Sequence, residues 1–419
     1  MKTLSKSRFV SGVQCEKKLW YSYYRKDLQL PTDEQTQAIF DLGHQIGNLA
    51  QNRFPNGKDA TPEDFSDFSP SIEKTKLWIA EEVETIYEAT FTAKNALCML
   101  DILHRMNDEV WAIEVKNSTS VKDYHLTDAS LQYFVMKEAG YAPDKFFLMH
   151  INNQYIKNGE LTDEFFHLED ITDKVLSKQT WVEENLERLL VMLENKQEPN
   201  VSIGAHCSSP FACDFVHHCW KHIPENSVFE LYRGGNKAWE LYKQGILKIE
   251  DIEDDFPLTH FQHLQRKGLR NQEQYINKEA IKNMISSWQF PLYFFDFETV
   301  FPAIPVLDGT RPYQQVPFQY SLHILEEDGK LSHKEFLAHP EDFSNGKNPL
   351  KLLVEQLKQD FGTDGNIVTY NQSFEVARLN ELANMFPEDA PFLKNLVSRV
   401  VDLLPVFQGG FCYFPEMKN

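Results

Sequence analysis

Three polar side chains set into a run of strand formers carry the clearest chemical signal in this sequence. From Tyr87 to Lys116 the chain reads YEATFTAKNALCMLDILHRMNDEVWAIEVK. Its apolar stretches 97–103 and 110–115 are short and rich in strand formers, and the polar residues 105–109 between them have hairpin composition. Asp101 falls in the first stretch, and Glu114 and Lys116 close the second. Residues two apart on a strand project from one face, so Glu114 and Lys116 stand side by side. Two carboxylates and an ammonium so arranged suit metal-assisted hydrolysis of a phosphodiester. The acids hold a hard divalent cation that polarises a phosphoryl oxygen and acidifies water. The lysine orients that water or stabilises developing charge. The plainer account makes all three solvated residues on the outer face of an ordinary hairpin. The next segment, 128–140 (DASLQYFVMKEAG), weighs against it, because its apolar residues recur at helical spacing and it adds Gln132.

A second set is built on sulfur. In the stretch HCSSPFACDFVHHCW, Cys207, Cys213 and Cys219 are evenly spaced and accompanied by His206, His217 and His218. Clustered thiols in a chain without signs of secretion point to a soft metal rather than to disulfides. An iron–sulfur centre, a zinc site using one of the histidines, and plain thiols all remain open on spacing alone. Cys98 and Cys412 lie in apolar, strand-like surroundings and read as core residues.

A third set lies near the C-terminus. LYFFDFETVFP reads as an aromatic, fully buried strand that delivers Asp296 and Glu298 on one face. Strands at 318–325 and 333–337, a helix over 350–361, a strand at 366–370 and a helix over 373–385 follow. That helix carries Glu375 shortly after Asn371, and Asp402 comes later in VVDLLPVF. A chance Asp-x-Glu at the end of a buried strand is the competing account.

The elements that must position these groups follow from composition. With 419 residues and 42% hydrophobic content, the chain can bury two or three cores. No apolar run is long enough for a membrane span, and the opening MKTLSKSRFVSGVQCEKKLW is too polar for a signal peptide, so a cytoplasmic protein without membrane contact is expected. A formal net charge of -20 excludes broad non-specific grip on nucleic acid and leaves room only for a local basic channel. Residues 1–30 combine Lys6, Arg8, Cys15, Lys17 and Lys18 with the aromatic run 20–24, which suits either a groove wall for a nucleic-acid backbone or an amphipathic packing helix. Residues 56–70 read as a loop, 71–82 as a helix, 146–151 as a strand and 178–196 as a helix. From 225 to 287 the pattern is helical and polar. There LYKQGILKIEDI resembles the helix-turn-helix pieces of repair proteins, against the simpler reading of a connector bundle.

The order acid, acid-x-lysine, then a helix bearing Gln-Tyr resembles the PD-(D/E)xK nucleases of the RecB type, with Asp101, Glu114, Lys116 and Gln132 as the matching positions. Where that family carries an early Gly and a metal-binding His, the helix 41–54 offers Gly43 and His44 at a different spacing, so His44 reads as a helix-surface residue. RecB-like nucleases of the CRISPR spacer-acquisition exonuclease type place one cysteine near the N-terminus and three after the nuclease core. The resemblance therefore implies a 4Fe-4S cluster on Cys15, Cys207, Cys213 and Cys219, with zinc as the competitor. The C-terminal order of elements is that of an RNase H-like fold, and Asp296 and Glu298 resemble the first motif of DnaQ-like exonucleases. Glu375 stands where that family usually has Asp, and Asp402 resembles an accessory acid.

The pairing as a whole resembles a bacterial family whose C-terminal piece is known only as a domain of unknown function. It implies three parts: a RecB-like nuclease with the cluster (1–222), a helical connector (223–288) and an RNase H-like domain (289–419). It further implies Mg2+ or Mn2+ held by Asp101 and Glu114, a second cation on Asp296, Glu298 and Glu375, and nucleic acid, expected to be DNA, as partner. No acid-bearing helix is expected after Asp402, so the C-terminal module is expected to be a truncated active site. The competing function is a catalytically weak nucleic-acid or partner-binding scaffold that keeps the folds.

Overall fold

The strand formers between Thr85 and Lys116 fold as three consecutive antiparallel strands joined by two-residue turns. At Lys94-Asn95 (φ 49° and 59°) and Asn107-Asp108 (φ 50° and 67°) both turn residues are left-handed, which matches the twist of the flanking strands. The structure is a computed structural model that describes residues 2–344 and 347–417, and the chain divides into two units, 1–155 with 159–221 and 156–158 with 222–419. The segment 223–288 clusters with the second unit.

The first unit runs β1 (Leu4–Ser5), α1 (Lys6–Gln14), α2 (Glu16–Tyr24), α3 (Glu34–Gln51), β2 (Lys58–Asp59), α4 (Ser69–Ala80), β3 (Thr85–Ala93), β4 (Ala96–Met106), β5 (Glu109–Lys116), α5 (Asp123–Glu138), β6 (Lys145–Ile151), β7 (Phe166–Asp170), α6 (Thr172–Leu176), α7 (Gln179–Glu194) and α8 (Val216–Cys219). Its seven strands form one mixed sheet in the order β2-β3-β4-β5-β6-β7, with β1 parallel to the start of β4. The parallel β5/β6 pair is bridged by α5, the crossover that parallel neighbours require. Helix α5 is buried on nearly all sides from Asp128 to Met136, and this is what removes Gln132 from solvent. Helix α7 buries Val182, Leu186, Leu189 and Leu193, a stripe at helical spacing. Gly12 of α1 meets Leu189 so closely that a Cβ there would lie 2.7 Å from its Cδ1. This close approach seats α1 against α7, while β1 joins the start of the chain to the sheet.

The second unit continues with α9 (Asn236–Lys243), α10 (His260–Asn271), β8 (Tyr275–Ile276), α11 (Lys278–Ile285), β9 (Leu292–Val300), β10 (Val316–Leu325), β11 (Leu331–Leu337), α12 (Pro340–Ser344), α13 (Pro349–Asp360), β12 (Ile367–Thr369), α14 (Gln372–Met385), α15 (Ala390–Ser398), β13 (Val400–Asp402), α16 (Leu404–Gln408) and β14 (Cys412–Tyr413). Five strands make a mixed sheet in the order β11-β10-β9-β12-β13, antiparallel through β9 and parallel beyond it. Helices α13, α14 and α15 bury Leu353, Leu357, Leu379, Leu382, Leu393 and Leu396 in the core it shares.

One sequence expectation changes here. Strand β9 is half-buried rather than fully buried: Tyr293, Phe295 and Phe297 point inward while Phe294, Asp296 and Glu298 are exposed, since aromatics on alternate positions satisfy one face only. LYKQGILKIEDI does not form two helices. After α9 the chain turns at Gly245 (φ 83°) into a single 3-10 turn, Ile249–Asp251, so the helix-turn-helix alternative is not met. A helix does form after Asp402, but α16 reads LPVFQ and brings no acid.

Candidate metal and phosphate site

The sheet register builds the site before any side chain is considered. Tyr87 pairs with Ile102 and Ala89 with Leu100, so Glu88 lies across from Asp101. Ile102 pairs with Ile113, so the next position along places Asp101 beside Glu114. Three acids therefore form a row across β3, β4 and β5. Like charges directly opposite each other on neighbouring strands are unfavourable, and Glu88 adds a backbone cost because its φ of 53° is left-handed in mid-strand.

Two lysines and a glutamine converge on this row. Lys116 Nζ donates to Glu114 Oε1 at 2.6 Å and to Asp128 Oδ2 at 2.8 Å. Lys6 Nζ, from the first turn of α1, donates to the same Glu114 Oε1 at 2.8 Å. Gln132 Nε2 donates to the other oxygen, Glu114 Oε2, at 2.9 Å, and the Val115 amide donates to Asp101 Oδ2 at 2.6 Å. Glu114 is 1% exposed. Burial pushes its carboxyl up, but Lys116 and Lys6 outweigh that and hold it well below the usual range. Asp101 is pushed up to about 6, by burial and then by Glu114. Glu88 is pushed up to about 8, by burial and then by Asp101. With Glu88 holding its proton at neutral pH, the two remaining carboxylates of the row are matched by the two ammoniums, and Asp128 stands beside them as a further acid. Asp128 Oδ1 and Gln132 Oε1 are buried without a hydrogen-bond partner, the condition of donor atoms that a ligand would complete.

These groups open into a cleft of about 800 Å³ lined by Lys6, Asp101, Glu114, Lys116, His125 and Phe211, among others. The exposed Ile39 and Phe40 of α3 form part of its wall, and the Tyr124 and Phe211 rings meet edge to face at 4.7 Å. His44 is exposed on α3, as expected of a helix-surface residue, and it also lines this cleft. His125 is kept neutral, its pKa lowered to about 4 by burial and then by Lys116.

All four predicted cysteines line one pocket in the first unit, together with Lys17, Lys18 and Tyr21. Cys15 sits at the break between α1 and α2, immediately before the first residue of α2. Gln14 Nε2 donates to the carbonyls of His206 and Phe211, each at 2.7 Å, tying the α1/α2 break to the cysteine loop. Burial pushes the Cys213 thiol up to about 11. His206 borders the pocket, whereas His217 is exposed. The donor set thus fits a thiolate-ligated group in kind: four sulfurs and two nearby ammoniums that offset their charge. Cys98 and Cys412 are buried apart from it.

In the second unit, Asp296 and Glu298 occupy the exposed face of β9. Glu375, in the first turn of α14, is 1% exposed, and its Oε2 is buried without a partner. Its carboxyl is pushed up to about 7, by burial first and then by Asp296 and Asp402. Asp402 Oδ1 accepts from the amides of Asn371 at 3.0 Å and Leu404 at 2.9 Å. The fold thus brings Asp296 of β9 and Asp402 at the end of β13 within electrostatic reach of Glu375 on α14.

Among the described residues, no group of three or more His, Cys, Asp or Glu side chains is arranged to close on a metal ion as it stands. In the carboxylate site the reason is visible, because two ammoniums take the Glu114 oxygen that a cation would use. Sequence reasoning missed Lys6, Glu88 and Asp128 as members of the site. Asp128 was accessible, lying one helical turn before Gln132. Glu88 follows only from the strand register, and the basic stretch that contains Lys6 gives no sign of its pairing with Glu114, 108 positions away.

By fold, then, this is a mixed α/β protein with one mixed sheet in each unit, and by site it presents buried acids paired with lysines. Residues 293–419 match the family described as Domain of unknown function (DUF2779). The chain is similar to Uncharacterized protein MG366 of Mycoplasma genitalium, 29% identical over 120 residues, covering 27% of this chain and 18% of that protein. It is similar also to the MG366 homolog of Mycoplasma pneumoniae, 32% identical over 121 residues, with the same coverage of 27% and 18%. The chain thus spans less than a fifth of the length of these relatives. Among solved structures, the crystal structure of SSO0001 aligns over 52% of this chain and 86% of its own at 14% identity, with a TM-score of 0.26. No helix among the described residues is long and apolar enough to cross a membrane.

Proposed function

We propose that the protein is a metal-dependent nuclease that hydrolyses DNA phosphodiester bonds at the Asp101–Glu114–Lys116 site, on a RecB-like PD-(D/E)xK fold, with an RNase H-like second unit. The observation that carries this reading is the row of acids on three neighbouring strands, of which Asp101 and Glu114 open to a large cleft with Lys116 held beside them. Asp101 and Glu114 are the residues that would hold Mg2+ or Mn2+. When bound, such a cation polarises the phosphoryl oxygen and lowers the pKa of the attacking water. Gln132 fixes the Glu114 carboxylate through Oε2. Lys116 is held as an ammonium: burial alone would lower its pKa, but Asp128 and Glu114 raise it well above the usual lysine range. It therefore serves as a donor to developing negative charge and not as a base.

The four-cysteine pocket supports a 4Fe-4S cluster, with zinc as the competing occupant; Cys15, Cys207, Cys213 and Cys219 would hold it and so join the first helices to the segment after α7. The strand order β11-β10-β9-β12-β13 supports the RNase H-like reading of the second unit. There Asp296, Glu298 and Glu375 would hold one cation, and cleavage belongs to the first unit. One observation favours the scaffold alternative: Lys6 and Lys116 satisfy Glu114 without any metal. Calorimetric titration with manganese decides between the two. The nuclease reading expects saturable binding that Asp101→Ala weakens at least tenfold, and absence of binding in the wild type would favour the scaffold.

A further inference from the structure

Resting on the nuclease reading, we infer that Lys6 is a movable phosphate-binding residue: it closes on Glu114 in the metal-free site and is displaced by the cation into the cleft, where it grips a substrate phosphate. Two ammoniums share one carboxylate oxygen, Lys6 Nζ at 2.8 Å and Lys116 Nζ at 2.6 Å from Glu114 Oε1. That oxygen cannot keep both and also ligate a divalent cation, because like charges crowded at one atom repel.

The two lysines differ in what would hold them afterwards. Lys116 retains a second carboxylate, Asp128, at 2.8 Å. Lys6 retains as hydrogen-bond partner only the carbonyl of Met99, at 3.2 Å, a neutral acceptor, with Asp101 and Asp128 attracting it without a hydrogen bond. Lys6 is therefore the one to leave. Its side chain is 28% exposed and borders the cleft along with Ser7 and Ser11 of the same helix, so a rotamer change suffices and no backbone need move. With a net charge of -20 on the chain, a cation released at the cleft supplies the local positive charge that a nucleic-acid backbone requires. In this scheme metal binding and substrate binding are linked: the cation's arrival frees the group that receives the phosphate.

The test uses the full chain and two variants, each first checked for an unchanged melting transition. Lys6→Gln keeps a donor for Glu114 without the charge, and Lys6→Arg keeps the charge but pairs more tightly with a carboxylate. Manganese titration by calorimetry should show binding about three- to tenfold tighter in Lys6→Gln and weaker in Lys6→Arg than in the wild type. Anisotropy of a labelled single-stranded oligonucleotide in calcium should show about tenfold weaker binding to Lys6→Gln. The slope of log K against log salt should also be shallower by about 0.7, the loss of one phosphate contact. If only one variant folds, its direction of change in manganese affinity decides. Manganese affinity that falls in Lys6→Gln, or an unchanged salt slope, overturns the proposal while a wild type that binds metal and cleaves leaves the nuclease reading standing. A wild type that binds no manganese overturns both.

Discussion

Lys116→Ala should lower DNA cleavage by about 10²–10³-fold, the range for removing one charged donor from a transition state, while leaving manganese binding at full stoichiometry. The lysine touches Glu114 and Asp128 but sits where a donor to the phosphate is needed, beside the acids and in the cleft wall. Its removal does not strand Glu114, which keeps Lys6 on Oε1 and Gln132 on Oε2. Asp128 does lose its partner. Removing one member of a buried pair costs about 3–5 kcal/mol, and less here because Lys116 is 22% exposed on its side chain. A melting curve beside the rate measurement separates loss of fold from loss of chemistry. Loss of metal together with activity, or retention of full activity, would show that the lysine has a different role.

The second large effect concerns the thiols. Anaerobically purified protein should be brown, with broad visible absorption from thiolate-bound iron, and Cys213→Ser should be colourless and unfold at markedly lower temperature. Four cysteines from two ends of the first unit line one pocket, so a group bound there closes a loop of nearly 200 residues, between Cys15 and Cys207. Structural metals contribute about 10–16 kcal/mol in small metal-folded domains, whereas whole domains are stable by only about 5–15 kcal/mol. Loss of even part of that contribution should abolish a cooperative transition for the first unit at 37 °C. Colourless wild-type protein carrying one zinc per chain would replace the cluster with the competing metal, and metal-free protein of undiminished stability would make these ordinary thiols.

Much of the site was legible because its information is local. Glu114 and Lys116 are two apart on one strand, and Gln132 lies on a helix that its own periodicity announces. The three cysteines of 207–219 declare themselves by spacing. What stayed hidden depends on register and on long-range packing. Glu88 joins the acids only because β3 and β4 align it with Asp101. Lys6 arrives through the packing of α1 against α5 and α7, to which Gly12 contributes its close approach. The half-exposure of β9 was present as alternation in YFFDFET, but three phenylalanines in a short run outweighed it. Helix boundaries shifted where side-chain caps lie outside the apolar pattern. Helix α5 starts at Asp123, five residues before the periodic stretch, on a turn in which His125 Nδ1 accepts from the Lys122 amide.

The most direct measurement of the central claim compares cleavage of end-labelled single- and double-stranded DNA, in manganese, by the wild type, Asp101→Ala and Asp296→Ala. Asp101 belongs to the row of acids shared with Glu114, whereas Asp296 stands on the exposed face of β9 with Glu375 and Asp402 as its neighbours. The account predicts cleavage by the wild type, its loss in Asp101→Ala, and its survival in Asp296→Ala. Cleavage that survives in Asp101→Ala and disappears in Asp296→Ala would contradict it and move the chemistry to the second unit.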